Sequence, residues 1–319
     1  MVQALSVKSR SKISWKAIGL ALNALVVSIA LFILYRTLRN VDLHKVWATM
    51  ADTSAWSVAL AGLFVAGGYM TMTLYDYFAL RTIGRDDVPY RTAALAGFTS
   101  YAIGHNVGAA ALVAGAVRLH VYSAWGLSLV EVAKIAFITG LTFWLGNTFA
   151  LGLALTFAPD LSAAVTRLQP AINQLLGAVA LTIIIAYMMW LLPAPRSLRH
   201  REWRLGLPGA RMTLVQIGIG CLDLAAGALA FYVLLPDEPG IGFAVVAVAF
   251  LVATLLGFIS HAPGSLGVFD TAMIVALSRY PTEHLVATLL IFRCLYFVLP
   301  LVVAVAILAA REVRVMQCG

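Results

Sequence analysis

Two short polar stretches, 104–108 and 261–270, interrupt long apolar runs and carry residue types suited to binding a charged ligand inside a membrane. In the later stretch, Pro263 bars a continuous helix. Asp270 and His261 are costly at hydrocarbon depth unless they face protein or water, and broken backbone is tolerated there only under the same condition. We therefore expect each stretch to be the tip of a helical hairpin beside a polar cavity. An ordinary loop between two spanning helices is the alternative.

Glycines and cations near both breaks predict a site for an anion. Hairpin arms that begin at Gly108 and Gly264 would point helix N-termini at the membrane centre, where free amides favour negative charge. Arginine can hold a phosphate through two parallel hydrogen bonds. For Arg118, an interfacial side chain that reaches toward the headgroups is an equally good interpretation. The residues predicted to bind a phosphate-bearing headgroup are Asn106, Gly108, Arg118, Lys134, Gly264, Ser265, Gly267, Asp270 and Arg293.

The side chains that could balance these cations are Asp76, Asp223, Glu131, His105 and His261. Asp76 and Asp223 precede the two breaks, where each could pair with an arginine, contact a cationic headgroup or carry a coupling proton. A buried ion pair that only holds helices together is an equally good interpretation. Glu131, three residues after Ser128, fits a capping box. Both histidines are expected to be hydrogen-bonded structural residues, with a pH role as the less favoured alternative.

No arrangement typical of an enzyme is present in the sequence. It contains no Gly-x-Ser-x-Gly, His-Glu-x-x-His or phosphate-loop motif. Ser265 near His261 is a weak candidate for a nucleophile pair, since no orienting base can be identified. The three cysteines have neither metal-ligand spacing nor the spacing of a disulfide framework. We expect no catalytic residue, metal or cofactor. Tyr122, Trp125 and Trp144 are expected in interfacial aromatic belts.

The elements that position these residues are predicted to be membrane helices. The chain has 319 residues, of which 62% are hydrophobic and only 11% are charged, so it is predicted to be an all-α polytopic membrane protein. The net charge is +8, and the basic residues lie mainly at helix ends and in short loops. This placement fits the positive-inside rule and argues against a nucleic-acid partner. The predicted crossings are six helices at about 16–35, 56–80, 128–157, 171–192, 212–235 and 285–310.

Two re-entrant helical hairpins, 91–120 and 241–278, complete the predicted topology. The basic N-terminus and the arginine-rich linker 193–211 place both termini in the cytoplasm, so the hairpins enter from opposite sides. The segment 241–262 is also long enough to cross fully. The basic segment and first apolar run are expected to form a retained helix rather than a cleaved signal peptide.

Helix, hairpin and helix thus occur twice, and the two copies are predicted to form an inverted repeat within a single membrane domain, 1–319. The first copy spans about 56–157 and the second about 212–310, joined by a helix and linker at 158–211. Inverted repeats with broken helices at matching places indicate a transporter's binding site.

The pattern Pro-Gly-x-Leu-Gly-Val-x-acidic at 263–270 resembles the signature of the lysylphosphatidylglycerol synthase transmembrane-region family. The block 108–146 is similar to the flippase domain of the bacterial multiple peptide resistance factor. Ser265 replaces a usual glycine and Asp270 a usual glutamate. The resemblance implies movement of an aminoacylated phosphatidylglycerol, or another lipid, across the bacterial cytoplasmic membrane. No aminoacyl-transferase domain follows the membrane region in this sequence, so the cargo would come from a separate synthase or be a different lipid.

A lipid translocator is therefore the leading hypothesis, with a charged membrane phospholipid as its partner. An intramembrane lipid phosphatase is one alternative, although the paired glutamates and the Ser-Arg-Ser that such enzymes carry are missing. A non-transporting partner subunit of a lipid synthase is another. A homo-oligomer is left open.

Overall fold

A computed structural model describes residues 28, 32, 34–36, 39, 41–107, 110–193, 196–200 and 203–318. The predicted first helix, 16–35, and the basic segment before it lie for the most part outside the described residues. The described helices are α1 Leu43–Asp52, α2 Ala55–Thr82, α3 Tyr90–Asn106, α4 Ala110–Ser123, α5 Leu129–Phe157, α6 Pro159–Thr166, α7 Pro170–Leu191, α8 Ala210–Tyr232, α9 Phe243–Ser260, α10 Val268–Ala276, α11 Thr282–Arg293 and α12 Leu299–Cys318. Strands β1 Ser197–His200 and β2 Trp203–Gly206 pair antiparallel in the linker.

Six of the described helical segments are long and apolar enough to cross a membrane: α2, α5, α7, α8, α9 and the continuous stretch Thr282–Arg311. The chain is therefore an all-α, multi-pass membrane protein, as its composition predicted. Five of these segments coincide with predicted crossings. The sixth, α9, has 18 residues and is the first arm of the predicted second hairpin.

The start of α5 shows how local sequence fixes a helix boundary. The Ser128 hydroxyl accepts from the amide of Glu131 at 3.3 Å, and the Glu131 carboxylate accepts from the amide of Ser128 at 2.8 Å. This is the predicted capping box, which satisfies two otherwise unpaired donors. The helix then runs for 29 residues, about 43 Å at 1.5 Å per residue, which exceeds the thickness of a bilayer core.

Helices α2 and α8 pack against each other at the centre of the molecule, and α5 crosses α8 where two glycines meet. A Cβ added at Gly146 would lie 2.6 Å from the Cα of Gly220, so the backbones touch there directly. A Cβ at Gly68 of α2 would contact Ala226 and Asp223 at 3.5 Å. Small residues allow such close approach between membrane helices, where packing rather than the hydrophobic effect holds helices together.

Helices α3 and α4 pack on each other as one pair, the first hairpin, and α9 and α10 as another, the second hairpin. Residues near the base of the first hairpin, such as Ala93, cluster with Leu80 near the C-terminal end of α2. Residues of the second hairpin, such as Met273, belong to a larger cluster that also contains Val65 of α2 and Ala102 of α3. The two hairpins therefore share part of one core. With 17 and 14 residues, α3 and α4 are about 25 and 21 Å long, shorter than a bilayer core.

Several elements differ from the prediction. The segment taken as a loop after the first crossing contains α1, whose N-terminal amides bind the Asp42 carboxylate. A second unpredicted helix, α6, follows α5 at once because Pro159 suits the first helical position. The last crossing is not a uniform helix, since Cys294–Val298 form a π-helical turn between α11 and α12. Such widened turns occur frequently at functional sites.

Candidate functional site

The two breaks meet. We call His105 to Val107, the described part of the break between α3 and α4, the first tip, and His261 to Gly267 the second tip. A Cβ added at Gly264 would lie 3.7 Å from the carbonyl oxygen of His105, and Gly264 has a φ of +57° that glycine adopts without strain. Asn106 of the first tip donates to the carbonyl of Phe297 in the π-helical turn at 3.0 Å. The tips and the π turn therefore form one contiguous region.

An ion pair lies at this meeting point. The Nε and Nη2 atoms of Arg293 donate to the two carboxylate oxygens of Asp270 at 2.8 and 2.7 Å. The Nη1 atom donates to the Gly264 carbonyl at 3.1 Å, and the guanidinium carbon lies 5.2 Å from the centre of the Phe297 ring. Their side chains are 14% and 13% exposed. The pair is thus well formed but open on one side.

The second tip is built differently from the prediction. A helix beginning at Gly264 is wrong: Pro263–Ser265 form a 3₁₀ turn, and α10 begins at Val268. The amides of Ser265 and Leu266 donate to carbonyls within the turn, and Gly267, with a φ of +80°, donates to Asp270 at 2.9 Å. These amides are satisfied within the tip, so charge recognition there depends on side chains. Gly108 lies outside the described residues, and the helix after it begins at Ala110.

A second, fully buried ion pair joins the first hairpin to α2. Arg118 donates to both carboxylate oxygens of Asp76 at 2.8 Å, and Tyr122 donates to the same carboxylate at 3.0 Å. The side chains of Arg118 and Asp76 are 3% and 0% exposed. The interfacial interpretations of Arg118 and Tyr122 are therefore wrong, because the Asp76 carboxylate, 42 and 46 positions earlier in the chain, binds both in the protein interior. Tyr101 stacks its ring 5.0 Å from the guanidinium carbon.

Asp223 lies on α8 and is bound by neither arginine. Its Oδ2 accepts from the phenol of Tyr75 at 3.2 Å, while Oδ1 is buried with no partner among the described residues. A series of rings leads from it to the first tip. The ring of Tyr75 lies 5.9 Å from that of Tyr101, which lies 5.7 Å from His105, and His105 stacks on Tyr296 at 6.5 Å. Polar groups thus connect the two ion pairs through the protein interior.

Other predicted site residues lie elsewhere. Glu131 accepts from Arg85 at 2.9 Å at the start of α5, and Arg85 also binds Asp87, which lowers the pKa of that exposed carboxyl. Lys134 is half-buried, and no described residue pairs with it. His261 is exposed and its Nδ1 lies 2.8 Å from the carbonyl of Ile259.

The proposed nucleophile pair at the second tip does not form among the described residues. Ser265, with a φ of +52°, packs against Gly257, where an added Cβ would lie 2.7 Å from its hydroxyl, and no hydrogen bond joins it to His261. Among the described residues, no group of three His, Cys, Asp or Glu side chains is arranged to hold a metal ion.

Aromatic residues around the site were missed by the sequence reasoning. Tyr101 lies one helical turn before His105 on α3, and Phe297 lies one turn after Arg293, so each aromatic ring shares a helix face with a residue already singled out. That spacing was the available signal. Tyr75, adjacent to Asp76, gave none, since its contact with Asp223 spans 148 positions.

A separate cavity of about 350 Å³ lies between α1 and the start of α11. It is apart from the tips and the two ion pairs. Its lining residues are Lys45, Ala48, Thr49, Asp52, Pro281, Glu283 and His284.

Comparison with known proteins places this architecture among bacterial membrane proteins. The uncharacterized protein slr0712 of Synechocystis sp. is 30% identical over 283 residues, which cover 86% of this chain and 87% of slr0712. The chain belongs to the slr0712 family. The inner membrane protein YbhN of Escherichia coli is 25% identical over 284 residues, which cover 88% of this chain and 87% of YbhN.

A more distant similarity reaches the phosphatidylglycerol lysyltransferases. That of Staphylococcus haemolyticus is 23% identical over 277 residues, which are 85% of this chain and only 31% of the enzyme. This chain therefore spans less than a third of the enzymes' length. No family model matches the chain.

Proposed function

We propose that this slr0712-family protein is a lipid translocator, which moves a phospholipid with a charged headgroup across the bacterial cytoplasmic membrane. The observation that carries the proposal is the Asp270–Arg293 pair, which lies partly exposed where the tips of two helical hairpins meet. Ionisable side chains at such positions in membrane proteins mark substrate pathways. Similarity to part of the phosphatidylglycerol lysyltransferases supports a lipid-related role.

The ion pair itself indicates what kind of headgroup would bind. Separating the two side chains leaves each with an uncompensated charge. A ligand can therefore separate them at low cost only if it carries both a negative charge for Arg293 and a positive charge for Asp270. A lipid phosphate would take the place of Asp270 on Arg293, through two parallel hydrogen bonds. An ammonium group of the same headgroup would bind the released carboxylate. An aminoacylated phosphatidylglycerol, or a related phospholipid with both charges, meets this requirement.

In this proposal both hairpins are re-entrant, enter from opposite faces and belong to an inverted repeat. The contact between their tips supports this arrangement. Movement of one repeat against the other would open the tip region to each face in turn, while the acyl chains stay in lipid. The residues around the headgroup path would be Asn106, Gly264, Ser265 and Gly267, with Lys134 as a second cation.

Leaflet-resolved lipid transport in proteoliposomes tests the proposal. We expect Asp270→Asn and Arg293→Gln each to slow transport at least about tenfold, the effect of losing about 1.4 kcal/mol. Arg279→Gln is the matched control, because Arg279 is an exposed arginine after α10 and outside the tip region. Transport by the wild type no faster than in protein-free liposomes would remove the proposal. Unchanged rates in both variants would remove the ion pair from the mechanism.

A further inference from the structure

Asp223 differs from the other buried aspartates because it has no cationic partner in the part of the chain that the structure describes. Asp76 and Asp270 each bind an arginine through both carboxylate oxygens. Asp223 is only 5% exposed, and its one described hydrogen bond comes from the phenol of Tyr75. Its Oδ1 faces Gly68 and is buried without a partner. An isolated carboxylate in such a place is so unfavourable that the group neutralises instead.

The groups that face Asp223 supply no positive charge. The phenol of Tyr75 donates to it from α2. The phenols of Tyr69 on α2, Tyr101 on α3 and Tyr296 in the π-helical turn lie near enough to feel its charge. Phenols are neutral near pH 7. His105 stands next in the series of rings, and its buried Nδ1 has no partner among the described residues. The described hydrogen bonds do not join these rings to one another, so a proton would move along the series, toward the meeting point of the tips, through bridging water molecules.

The remaining elements packed on α8 add no cation either. Helix α9 contains no titratable residue. Helix α5 meets α8 at Gly146, and its one lysine, Lys134, lies twelve residues or about 18 Å away along the helix axis. The hydrogen bond from α11 joins Thr288 to the carbonyl of Leu234, beyond the C-terminal end of α8, and the one arginine of α11, Arg293, is bound by Asp270. Helix α7 offers only the phenol of Tyr187.

We propose that Asp223 is a proton-binding carboxyl group that couples proton movement to the conformational cycle. In the conformation described here it holds the proton on Oδ1 and accepts the Tyr75 hydrogen bond on Oδ2. When the tip region opens to water, the carboxyl releases the proton to water and becomes a hydrated carboxylate. The region then closes over the carboxylate only with a cationic headgroup beside it and opens to the opposite face. There the headgroup leaves and the carboxyl takes up a proton before the region closes again, so one proton crosses for each headgroup carried the other way. The coupled process, lipid transport, rests on the proposed function, whereas the protonation itself does not.

Infrared spectroscopy of the purified full-length protein in a detergent without carbonyl groups tests the protonation directly. We expect the wild type at pH 7 to show the C=O stretching band of a protonated carboxyl. The band should vanish in Asp223→Asn and persist in Asp237→Asn, an exposed aspartate in the loop after α8. Asp223→Glu controls for misfolding of Asp223→Asn. It keeps a carboxyl group at this position, so the band should shift in frequency rather than vanish. A wild type without the band, or a band that Asp223→Asn leaves intact, would overturn the proposal. Loss of the band on adding Na⁺ would also overturn it, since a metal ion would then occupy the site.

Transport with an imposed pH difference tests the coupling. In wild-type proteoliposomes we expect the ratio of lipid transport with and without the gradient to be at least fivefold, and in Asp223→Asn we expect a ratio of one. A Na⁺ gradient at constant pH serves as the control and should have no effect. A wild-type ratio of one would overturn the coupling. A wild type that moves no lipid at all would defeat the proposed function, while the infrared result would still decide whether Asp223 holds a proton.

Discussion

Breaking the buried Asp76–Arg118 pair from one side should destabilise the protein far more than removing both charges. In Asp76→Asn the guanidinium of Arg118 keeps its place, 3% exposed, without a compensating charge. At an effective dielectric of about 20, unit charges about 4 Å apart attract by about 4 kcal/mol. Removal of one partner of a buried pair typically costs about 3–5 kcal/mol. We expect a loss in that range.

The double variant Asp76→Leu with Arg118→Met fills similar space without burying charge. Replacing a buried pair by apolar side chains is often neutral, so we expect the double variant to lose only about 1–2 kcal/mol, mostly because the phenol of Tyr122 loses its acceptor. With Asp76→Leu and Arg118→Met as the single variants, each expected to cost about 3–5 kcal/mol, the coupling energy should be at least about 4 kcal/mol. Reversible unfolding in mixed detergent micelles measures all four proteins.

A partly exposed pair provides the control for this cycle. Arg85 and Glu131 are 20% and 27% exposed and joined at 2.9 Å, so Arg85→Met should cost about 1 kcal/mol or less. Additive effects of the two buried substitutions, or a cost below about 1 kcal/mol for Asp76→Asn, would refute the reasoning. Lipid transport retained by the double variant would show that the pair holds helices together, whereas its loss would show that Arg118 takes part in transport.

Three other perturbations test the packing and the tips. Gly264→Ala should lower stability by about 1–2 kcal/mol, because a side chain at a φ of +57° is strained, and the melting temperature measures it. Gly146→Ala should cost about 1–3 kcal/mol through its clash with α8, whereas Gly140→Ala in the same helix meets open space and should be neutral or slightly stabilising. A cysteine at Ser265 should react with a membrane-impermeant maleimide more slowly than one in the 236–239 loop; equal rates would contradict a tip inside the membrane.

Composition alone was enough to predict an all-α membrane protein, and the two breaks were located from Pro and Gly inside apolar runs. Pairing between distant residues could not be predicted this way. The sequence favoured two roles equally for Arg118, because its partner is forty-two positions away and only tertiary packing brings the two together. The start of α10 was misplaced for a different reason, which is local. Asp270 caps the helix by accepting from Gly267, a local bond that a search for free amides overlooks.

The short elements α1 and α6 were missed because their lengths of 10 and 8 residues give too few turns for an apolar periodicity to stand out. Their boundaries were nevertheless visible. Asp42 precedes α1 as an N-cap and Pro159 opens α6, both of which are ordinary start signals. The length of the apolar runs dominates the interpretation of a membrane sequence, and helix-start residues in the segments between those runs receive too little weight.

The π-helical turn at Cys294–Val298 ties the last helix to α2 and to the first tip. A π turn shifts the backbone hydrogen bonds by one residue, and two carbonyls in or beside this turn accept side-chain donors instead: Tyr296 from Tyr69 at 3.0 Å, and Phe297 from Asn106 at 3.0 Å. Tightening the turn to ordinary α-helix would rotate Arg293 relative to α12 by about 100°, one residue's worth of helical rotation. While Tyr69 of α2 and Asn106 of the first tip hold these two carbonyls, the turn stays widened and Arg293 keeps one orientation relative to α12. Loss of both hydrogen bonds would remove this constraint on the rotation of the last helix.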